Sequence, residues 1–354
     1  MSETYQVAVV DKYTGNPSDF HLTNVPRASS LQPTQVEIQV HAASLNPIDY
    51  KRAEGMLSLF VPEKFPLLLG YDFAGLVTRT GSSVTRFSAG DRVYGRAAHG
   101  DAGAIAEYFV TEEKAVAAVP GNVSFNVAAA VPLAGLTALQ ALERLGINEQ
   151  SSVFISAGLG GVGMFAVALA RHHFKAKEVI TTVSTAKVER ASELGATRVV
   201  DYKKESYTEV LEDAADAMLD TTGDTESYRV VKRNAKVVSV AMMPDGDSLE
   251  YFRKDQPPLS FFGKAKLGVL KKVVATASWF LTRGFRSKGI TYEYLVMDPN
   301  GKQLEEVFNP LLESGVIKPV IANVHAFTNQ GVQDAFKESR DGHATGKIIV
   351  CVKD

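Results

Sequence analysis

The stretch that decides the fold is Ser152-Val-Phe-Ile-Ser-Ala-Gly158-Leu-Gly160-Gly-Val-Gly163-Met-Phe-Ala-Val-Ala-Leu-Ala-Arg-His-His173. Its first residues are typical of a buried parallel strand, and its Ala/Val/Leu-rich end has the length of a helix. The glycines follow the G-x-G-x-x-G spacing: the first permits a tight turn, the second lets the backbone approach a pyrophosphate, and the third lets helix pack on strand. The N–H groups and positive dipole at the start of the helix favour phosphate. We predict that the turn binds a dinucleotide through Gly158, Leu159, Gly160, Gly161, Val162 and Gly163.

A second strand, Glu178-Val-Ile-Thr-Thr-Val183, follows at the distance expected in a βαβ unit, which favours dinucleotide binding over a glycine-rich turn that binds nothing. In NAD-binding proteins, an acid at the end of this strand commonly binds the ribose 2′-hydroxyl. Here the strand is followed by Ser184, Thr185 and Lys187, with no carboxylate in the turn. Because two hydroxyls and an ammonium group suit a 2′-phosphate, we predict NADPH as the cofactor. In the alternative, a hydroxyl only caps the next helix and Lys187 is solvated.

The composition is that of a globular protein with room for two domains. The 354 residues are 45% hydrophobic and carry a formal net charge of −2, which gives no reason to expect nucleic acid or an anionic membrane as the main partner. The only cysteine, Cys351, cannot form an intrachain disulfide, and this favours a reducing compartment. Since no targeting segment and no bilayer-spanning apolar run are apparent, we expect a cytoplasmic protein without stable membrane insertion.

The pattern of predicted elements changes near residue 124. Residues 1–124 have many short strand-like segments and one short predicted helix, Pro47–Glu54, with Asn46 as its cap; this indicates a barrel-like β domain. Beyond residue 124, strands and helices alternate, which indicates a doubly wound parallel sheet. The predicted helices of this part include 205–214, 225–234 and 301–313. The chain returns to β structure at Val320–Phe327 and Lys347–Val352.

One segment differs from the rest. From Gln256 to Tyr292 there is no acidic residue, and apolar residues recur at helical spacing. A basic amphipathic helix can lie on a membrane surface. Because the rest of the chain has no second membrane signal, we favour an insertion that covers a cleft or a subunit contact. The seven basic residues of the segment are Lys264, Lys266, Lys271, Lys272, Arg283, Arg286 and Lys288.

Several motifs resemble those of the medium-chain dehydrogenases/reductases, in the zinc-independent quinone oxidoreductase (zeta-crystallin-like) branch. Together they extend over nearly the whole chain. The resemblance implies an α/β fold with a GroES-like, β-rich catalytic domain (1–124 and 315–354), a Rossmann domain with a doubly wound parallel sheet (125–314), NAD(P)H at their junction, and a homodimer. Besides the glycine turn, the motifs are Ser44-Leu-Asn-Pro-Ile-Asp-Tyr-Lys51, Gly70-Tyr-Asp-Phe-Ala-Gly75, Gly90-Asp-Arg-Val93, Pro132-Leu-Ala-Gly-Leu-Thr137 and Gly342-His-Ala-Thr-Gly-Lys347.

The chain departs from the zinc-dependent members of that family. Those enzymes have a cysteine ligand at the position of Asn46 and a His-Glu pair at Tyr71-Asp72. Catalytic zinc usually takes three protein ligands of the Cys, His or carboxylate type. The sole cysteine lies near the C-terminus, and the seven histidines show no ligand spacing. We therefore predict no metal site and exclude a zinc alcohol dehydrogenase.

The resemblance also assigns site residues. It implies that Asn46 and Tyr50 face the nicotinamide and the substrate, where Tyr50 can donate a hydrogen bond to the developing oxyanion. It implies Thr137 beside the nicotinamide ribose and Tyr202 near the adenosine phosphate. Thr222 lies at the carboxyl edge of the predicted sheet, where ligands bind, and Lys347 ends the last motif; we predict both to bind the cofactor. Plainer roles are helix capping for Asn46, packing for Tyr50 and an ordinary strand-end position for Tyr202.

A metal-free site can deliver hydride to an acceptor that is already electron-poor, such as a quinone or the β-carbon of an enone. We therefore predict an NADPH-dependent quinone oxidoreductase. One alternative is an enoyl-thioester reductase, for which the basic segment could form a positively charged entrance that binds the phosphopantetheine of an acyl carrier. Another is a non-catalytic NADPH-binding sensor, because a fold does not determine a function.

Overall fold

The computed structural model shows two compact units, Met1–Leu136 with Asp298–Asp354, and Thr137–Met297. The sequence prediction divided the chain at 124 and 314. The described residues are 3–56, 58, 62–98, 103–241, 261–342 and 344–353, with the backbone alone at 261–266. Residues 256–260 of the basic segment, the side chains of Lys264 and Lys266, His99 and His343 lie outside this description.

Strands of the described residues form three sheets. In chain order they are β1 (Thr4–Val10), β2 (His21–Pro26), β3 (Gln35–Leu45), β4 (Leu67–Leu68), β5 (Asp72–Thr80), β6 (Arg92–Arg96), β7 (Tyr108–Glu112), β8 (Val116–Ala118), β9 (Ser152–Ile155), β10 (Glu178–Val183), β11 (Arg198–Asp201), β12 (Ala215–Asp220), β13 (Val231–Ser239), β14 (Thr291–Tyr294), β15 (Ile321–Ala326) and β16 (Lys347–Cys351).

Helices connect or flank these strands. They are α1 (Pro47–Ala53), α2 (Phe125–Ala129), α3 (Pro132–Leu145), α4 (Gly163–His172), α5 (Val188–Glu193), α6 (Tyr207–Val210), α7 (Phe261–Leu281), α8 (Arg283–Ser287), α9 (Gly301–Gln303), α10 (Asn309–Glu313) and α11 (Asn329–Asp341).

The first unit is built on two sheets. The smaller has the antiparallel order β2-β1-β4, and the larger has the order β15-β16-β3-β5-β6-β8, with β7 also paired to β3. The core contains fully buried side chains from both the strands and α11, among them Ile38, Phe73 and Phe336. The predicted β-rich, GroES-like architecture of this part is confirmed.

The register of the larger sheet brings three polar residues together. β3 lies between β5 and β16, with Ser44 opposite Asp72 and Leu45 opposite Ile348. Asn46 follows β3 and Lys347 begins β16, so Asn46, Asp72 and Lys347 meet at one end of the central strand. Residues far apart in the sequence thus form one cluster.

The second unit contains one sheet of six parallel strands in the order β11-β10-β9-β12-β13-β14. This is the doubly wound order 3-2-1-4-5-6 of dinucleotide-binding folds, with the switch point between β9 and β12. Fully buried Phe154, Ile180 and Met218 form part of its core. The predicted Rossmann-like sheet is confirmed, and its switch point lies beside the glycine turn.

Two helices predicted for the second unit are wrong in whole or part. The segment 225–234 contains only a short 3-10 turn, and β13 begins at Val231. Val230 and Val231 are both fully buried, a β-branched pair that suits a central strand better than one face of a helix. The helix predicted at 205–214 is limited to α6, and Asp213 beyond it has the positive φ of 51°.

Two further differences lie in the first unit. The helix predicted at 301–313 is interrupted by a π-helical turn, Leu304–Phe308, between α9 and α10. Helix α11 was not predicted at all, although Thr328 caps it by accepting a hydrogen bond from the Gly331 N–H at 3.1 Å. Its buried residues, Val332, Ala335 and Phe336, have the spacing of one helical face, so the sequence does contain a signal for this helix.

Candidate cofactor-binding and active-site residues

The glycine turn joins β9 to α4. A Cβ atom at Gly163 would lie 2.1 Å from the Ala157 carbonyl oxygen, and one at Gly158 would lie 2.2 Å from Thr181 Oγ1. The Thr181 hydroxyl is itself fixed, because it donates to the Ile155 carbonyl at 2.6 Å. Glycine is therefore required at both positions by close approach within the protein.

Of the other two glycines of the turn, Gly161 faces open space and Gly160 has a tight contact. A Cβ atom at Gly161 would meet no atom within 4 Å, and one at Gly160 would first meet the Ala157 carbonyl oxygen at 3.2 Å. The turn leads directly into α4, in which the Met164 N–H donates to the Gly160 carbonyl at 3.1 Å and the Ala166 N–H to the Val162 carbonyl at 3.0 Å. The open space beside Gly161, at the positive end of the α4 dipole, fits the pyrophosphate of a dinucleotide. Of the other predicted residues of this turn, Leu159 is buried and Val162 half-buried.

The residues predicted for the adenosine phosphate lie at the carboxyl ends of β10 and β11. Ser184 and Lys187 are half-buried and Thr185 is exposed in the turn after β10. Tyr202 follows β11, is 51% exposed, and donates its N–H to the Val183 carbonyl at 3.1 Å. The sheet thus brings these four residues to one edge.

The same edge carries a carboxylate that the sequence reasoning missed. Asp201 ends β11 and pairs with Val183 of β10. Its pKa is lowered, chiefly by the Thr185 hydroxyl, and it accepts the Lys203 N–H at 3.1 Å. The turn after β10 has no acid of its own, but the neighbouring strand supplies one. Neighbouring parallel strands end at the same edge, so this position was readable from the predicted strands.

Asp220 organises the next turn along this edge. It is fully buried at the end of β12, and Oδ1 accepts the N–H groups of Thr222 and Gly223 at 3.0 and 2.8 Å. Oδ2 accepts the Ser239 hydroxyl at 2.7 Å. The predicted cofactor residue Thr222 is thereby held in an exposed turn. Thr137, the other predicted neighbour of the cofactor, is buried in α3.

The first unit holds a closed polar cluster of Asn46, Asp72 and Lys347, each at most 4% exposed. Asn46 Nδ2 donates to Asp72 Oδ2 at 2.8 Å, and Lys347 Nζ donates to Asn46 Oδ1 and, at 3.1 Å, to the Leu45 carbonyl. Lys347 Nζ also lies 3.6 Å from Asp72 Oδ2. The Leu133 N–H donates to Asp72 Oδ1 at 2.9 Å. The sequence reasoning named Asn46 and Lys347 for separate roles but missed their contact with Asp72.

A second buried carboxylate fixes the backbone beside this cluster. Asp49 accepts the Asn46 N–H at 2.8 Å and the Gly70 N–H at 3.2 Å. Asn46 is the N-cap of α1, as predicted. Burial raises the pKa of Asp49 to about 6, raises the pKa of Asp72 and lowers the pKa of Lys347. The cluster thus carries a desolvation cost that its mutual contacts must offset.

Tyr50 projects from α1 and is half-buried. It packs against the core of the first unit and lines a narrow crevice with Phe336 and Arg340 of α11. Burial raises the pKa of its hydroxyl. The phenol therefore stays protonated at neutral pH and remains a hydrogen-bond donor.

The positions of the zinc ligands in zinc-dependent relatives hold different chemistry here. Tyr71 is buried between two guanidinium groups, with Arg96 and Arg52 centred 4.6 and 5.3 Å from its ring. Asn46 and Asp72 belong to the closed cluster. Within the described part of the chain, no group of three His, Cys, Asp or Glu side chains is placed to hold a metal ion.

Known proteins resemble this chain over nearly its full length. A model described as the alcohol dehydrogenase GroES-like domain matches residues 32–121, and one described as zinc-binding dehydrogenase matches residues 194–350. The 2-methylene-furan-3-one reductase of Solanum lycopersicum is 36% identical over 327 residues, covering 90% of this chain and 72% of the relative. A chloroplast envelope quinone oxidoreductase homolog of Arabidopsis thaliana is 33% identical over 346 residues, covering 96% of both. An NADPH-dependent alkenal/one oxidoreductase from the same plant is 34% identical over 327 residues, covering 90% and 72%.

Solved structures agree with this relationship. The quinone oxidoreductase of Coxiella burnetii has a TM-score of 0.81 and 28% identity, covering 99% of this chain and all of that one. The Escherichia coli quinone oxidoreductase complexed with NADPH has a TM-score of 0.76 and 22% identity, covering 98% of this chain and 100% of that one, and shows the shared fold. The chain therefore belongs to the medium-chain dehydrogenase/reductase superfamily of oxidoreductases.

Proposed function

We propose that this chain is an NADPH-dependent reductase of electron-poor acceptors, quinones and activated enones, that acts without a bound metal. The observation that carries the proposal is the glycine turn, in which Gly158 and Gly163 exclude any side chain while Gly161 faces open space. Such a turn at the switch point of a doubly wound sheet suits a dinucleotide. The relatives named for enone, alkenal and quinone reduction support the acceptor class.

The choice of NADPH rests on opposed charges at the edge of the parallel sheet. Ser184, Thr185 and Lys187 offer two hydroxyls and an ammonium group to a 2′-phosphate. Asp201 acts against that preference, because its carboxylate would repel the phosphate. Its lowered pKa keeps it charged at neutral pH. We propose that Lys187 and the hydroxyls outweigh it.

Bound NADPH would supply the hydride that reduces the acceptor. Asn46 acts as a fixed element of the site, because its amide already bonds Asp72 on one side and Lys347 on the other. Tyr50, kept protonated by burial, donates a hydrogen bond to the oxygen that gains negative charge. An acceptor that is already electrophilic needs little more.

The reductase is tested by NADPH oxidation with three acceptor classes in parallel: quinones, short enones and an enoyl thioester. Turnover of quinones or enones supports the proposal. Turnover of the thioester alone would replace it with an enoyl-thioester reductase. Binding of NADPH without turnover of any acceptor would favour the alternative of a non-catalytic NADPH-binding sensor.

Metal independence has its own test. Purified protein is expected to contain no stoichiometric zinc, and a chelator is expected to leave activity and Tm unchanged. This follows from the groups at Asn46, Tyr71 and Asp72, which lack a thiolate or imidazole ligand. One equivalent of zinc, lost together with activity, would overturn it.

We also propose a homodimer, as the family resemblance implies, and a cytoplasmic location, which the single cysteine favours. Light scattering of the purified protein tests the assembly, and a monomeric mass would contradict it. Imaging of the tagged chain in its own cells tests the compartment; chloroplastic relatives make an organelle the informative alternative.

A further inference from the structure

Among the described side chains of helix α7, several large apolar ones are exposed to solvent. Its buried side carries Val274, Ser278 and the following Thr282, spaced four residues apart and 5–9% exposed. In a surface helix of a globular protein, the apolar stripe normally faces the core. Here the order is reversed, since the outward residues Val269, Val273, Trp279 and Phe280 are 57–64% exposed.

The outward residues form a stripe along the helix that also contains the exposed Thr276. Val269, Val273 and Phe280 are four and seven residues apart, so they lie on one face of the helix. Trp279 packs edge-on against Phe280, with ring centroids 5.0 Å apart, at the end of the stripe. Arg286 of α8 lies over the Trp279 ring at 4.4 Å. The stripe therefore ends in an aromatic pair with a cation beside it.

The charged residues of the segment that carries this stripe are all basic. Lys272, Arg283 and Arg286 are exposed on or next to the face, and the sequence from Gln256 to Tyr292 contains no acidic residue. The chain as a whole has a net charge of −2, so the positive charge is a local property.

We propose that the outward face of α7 binds an anionic membrane surface, with Val269, Val273, Trp279 and Phe280 in the headgroup region and the basic residues on the lipid phosphates. A helix with apolar and aromatic residues on one side and Lys and Arg beside them is suited to lie in this plane. Among the described residues, no helix is long and apolar enough to cross a membrane. The proposal goes beyond the reductase activity and does not depend on it.

A second copy of the chain is a poorer occupant. A two-fold interface places the same patch on both sides, so it would gather the basic residues of both copies in one interface. An anionic lipid surface supplies the opposite charge instead. The aromatic end of the stripe also favours lipid, because Trp residues prefer the membrane–water interface.

The test uses Trp279, the only tryptophan of the chain, as its own reporter. With vesicles of phosphatidylcholine and about one-third phosphatidylserine, we expect its emission to shift to shorter wavelength and the protein to sediment with the vesicles. Vesicles of phosphatidylcholine alone, or high salt, should give neither effect. Reduction of a soluble acceptor, measured on the same sample, separates failure of this proposal from failure of the proposed function.

Two sets of variants keep the reporter in place. Removing two positive charges, Lys272→Gln with Arg283→Gln, should weaken vesicle binding roughly thirtyfold, whereas Lys302→Gln with Lys318→Gln, exposed in the first unit, should leave it unchanged. Val269→Ser with Val273→Ser should reduce the emission shift, whereas Val316→Ser with Val324→Ser, also exposed, should not. An unchanged Tm confirms that the variants fold.

Three outcomes would overturn the proposal. They are the absence of any shift with anionic vesicles, a shift that follows protein concentration without lipid and so reports a second copy, and a shift produced by an acidic polypeptide but not by vesicles.

Discussion

In the first unit, Asn46, Asp72 and Lys347 are each at most 4% exposed and bond one another; in the second unit, Thr185 and Tyr202 are exposed at the edge of the parallel sheet. Buried charges are costly unless they are paired, so the first arrangement persists only as a complete set. Exposed hydroxyls can exchange water for a ligand at little cost. The buried cluster therefore holds a fixed shape, whereas the groups at the carboxyl end of the parallel sheet are accessible, as the proposed binding of a cofactor requires.

Breaking the closed cluster should have the largest effect. Lys347→Met leaves the Asp72 carboxylate buried without its ammonium partner, and we expect the free energy of unfolding to fall by about 3–5 kcal/mol. Denaturant unfolding measures this loss. Adding Asp72→Asn should recover part of the stability, because no buried charge then remains. A Lys347→Met protein as stable as the parent would mean that the cluster does not hold the first unit together.

The glycine turn contains a closely packed position, Gly163, and an open position, Gly161, within a few residues. Gly163→Ala forces a Cβ atom against the Ala157 carbonyl and should cost about 1–3 kcal/mol of stability. Gly161→Ala meets no protein atom, so stability should be unchanged while NADPH binds more weakly, because the methyl group enters the space assigned to the pyrophosphate. Thermal unfolding and a fluorescence titration separate the two effects. Equal behaviour of the two variants would remove the distinction.

The choice between NADPH and NADH tests the residues at the carboxyl end of the parallel sheet. Lys187→Ala should weaken NADPH binding roughly tenfold to a hundredfold and leave NADH nearly unchanged, since a charge-assisted contact contributes about 1.5–3 kcal/mol. Asp201→Asn is the matched opposite, and it should tighten NADPH relative to NADH. Titration of both cofactors into each variant measures the ratio. Tighter binding of NADH than of NADPH by the unmodified protein would contradict the assignment.

Tyr50 is intermediate in exposure between the buried cluster and the exposed residues, since it is half-buried and lines a crevice. For Tyr50→Phe we expect a loss of roughly tenfold in kcat with unchanged cofactor affinity, less than the loss of a dedicated oxyanion donor. Steady-state kinetics with an enone and a quinone measure the change. An unaltered kcat would reduce Tyr50 to a packing residue of α1.

The polar residues and turns at the carboxyl end of the parallel sheet could be largely predicted from sequence, because the segments that form them are local. The strand, the three spaced glycines and the next helix are contiguous, and the spacing predicts the close packing at Gly163, whereas the contact of Gly158 with Thr181 depends on the neighbouring strand. Asp201 escaped because it belongs to the neighbouring strand and meets Thr185 only through the sheet register. A local sequence pattern predicts the residues of a turn, whereas contacts between neighbouring strands depend on the sheet register.

The closed cluster could not be predicted as a cluster. Asn46, Asp72 and Lys347 lie on three strands or their ends, and their contact depends on pairing between β3, β5 and β16. Helix α11, by contrast, is readable from the sequence, since Val332, Ala335 and Phe336 have the spacing of one helical face and follow the capping residue Thr328. The exposed apolar face of α7 follows from the fold, since the sequence pattern alone did not say which side of the helix is buried.

Hydride transfer from NADPH to an electron-poor acceptor is the reaction that we propose for this chain. The most direct measurement follows deuterium from C4 of NADPH into the product of an enone, by mass spectrometry and NMR. We predict one deuterium at the β-carbon, with the α-carbon protonated from solvent. Product without deuterium from NADPH deuterated at both C4 positions, or no reduction of either an enone or a quinone beside intact NADPH binding, would contradict this mechanism.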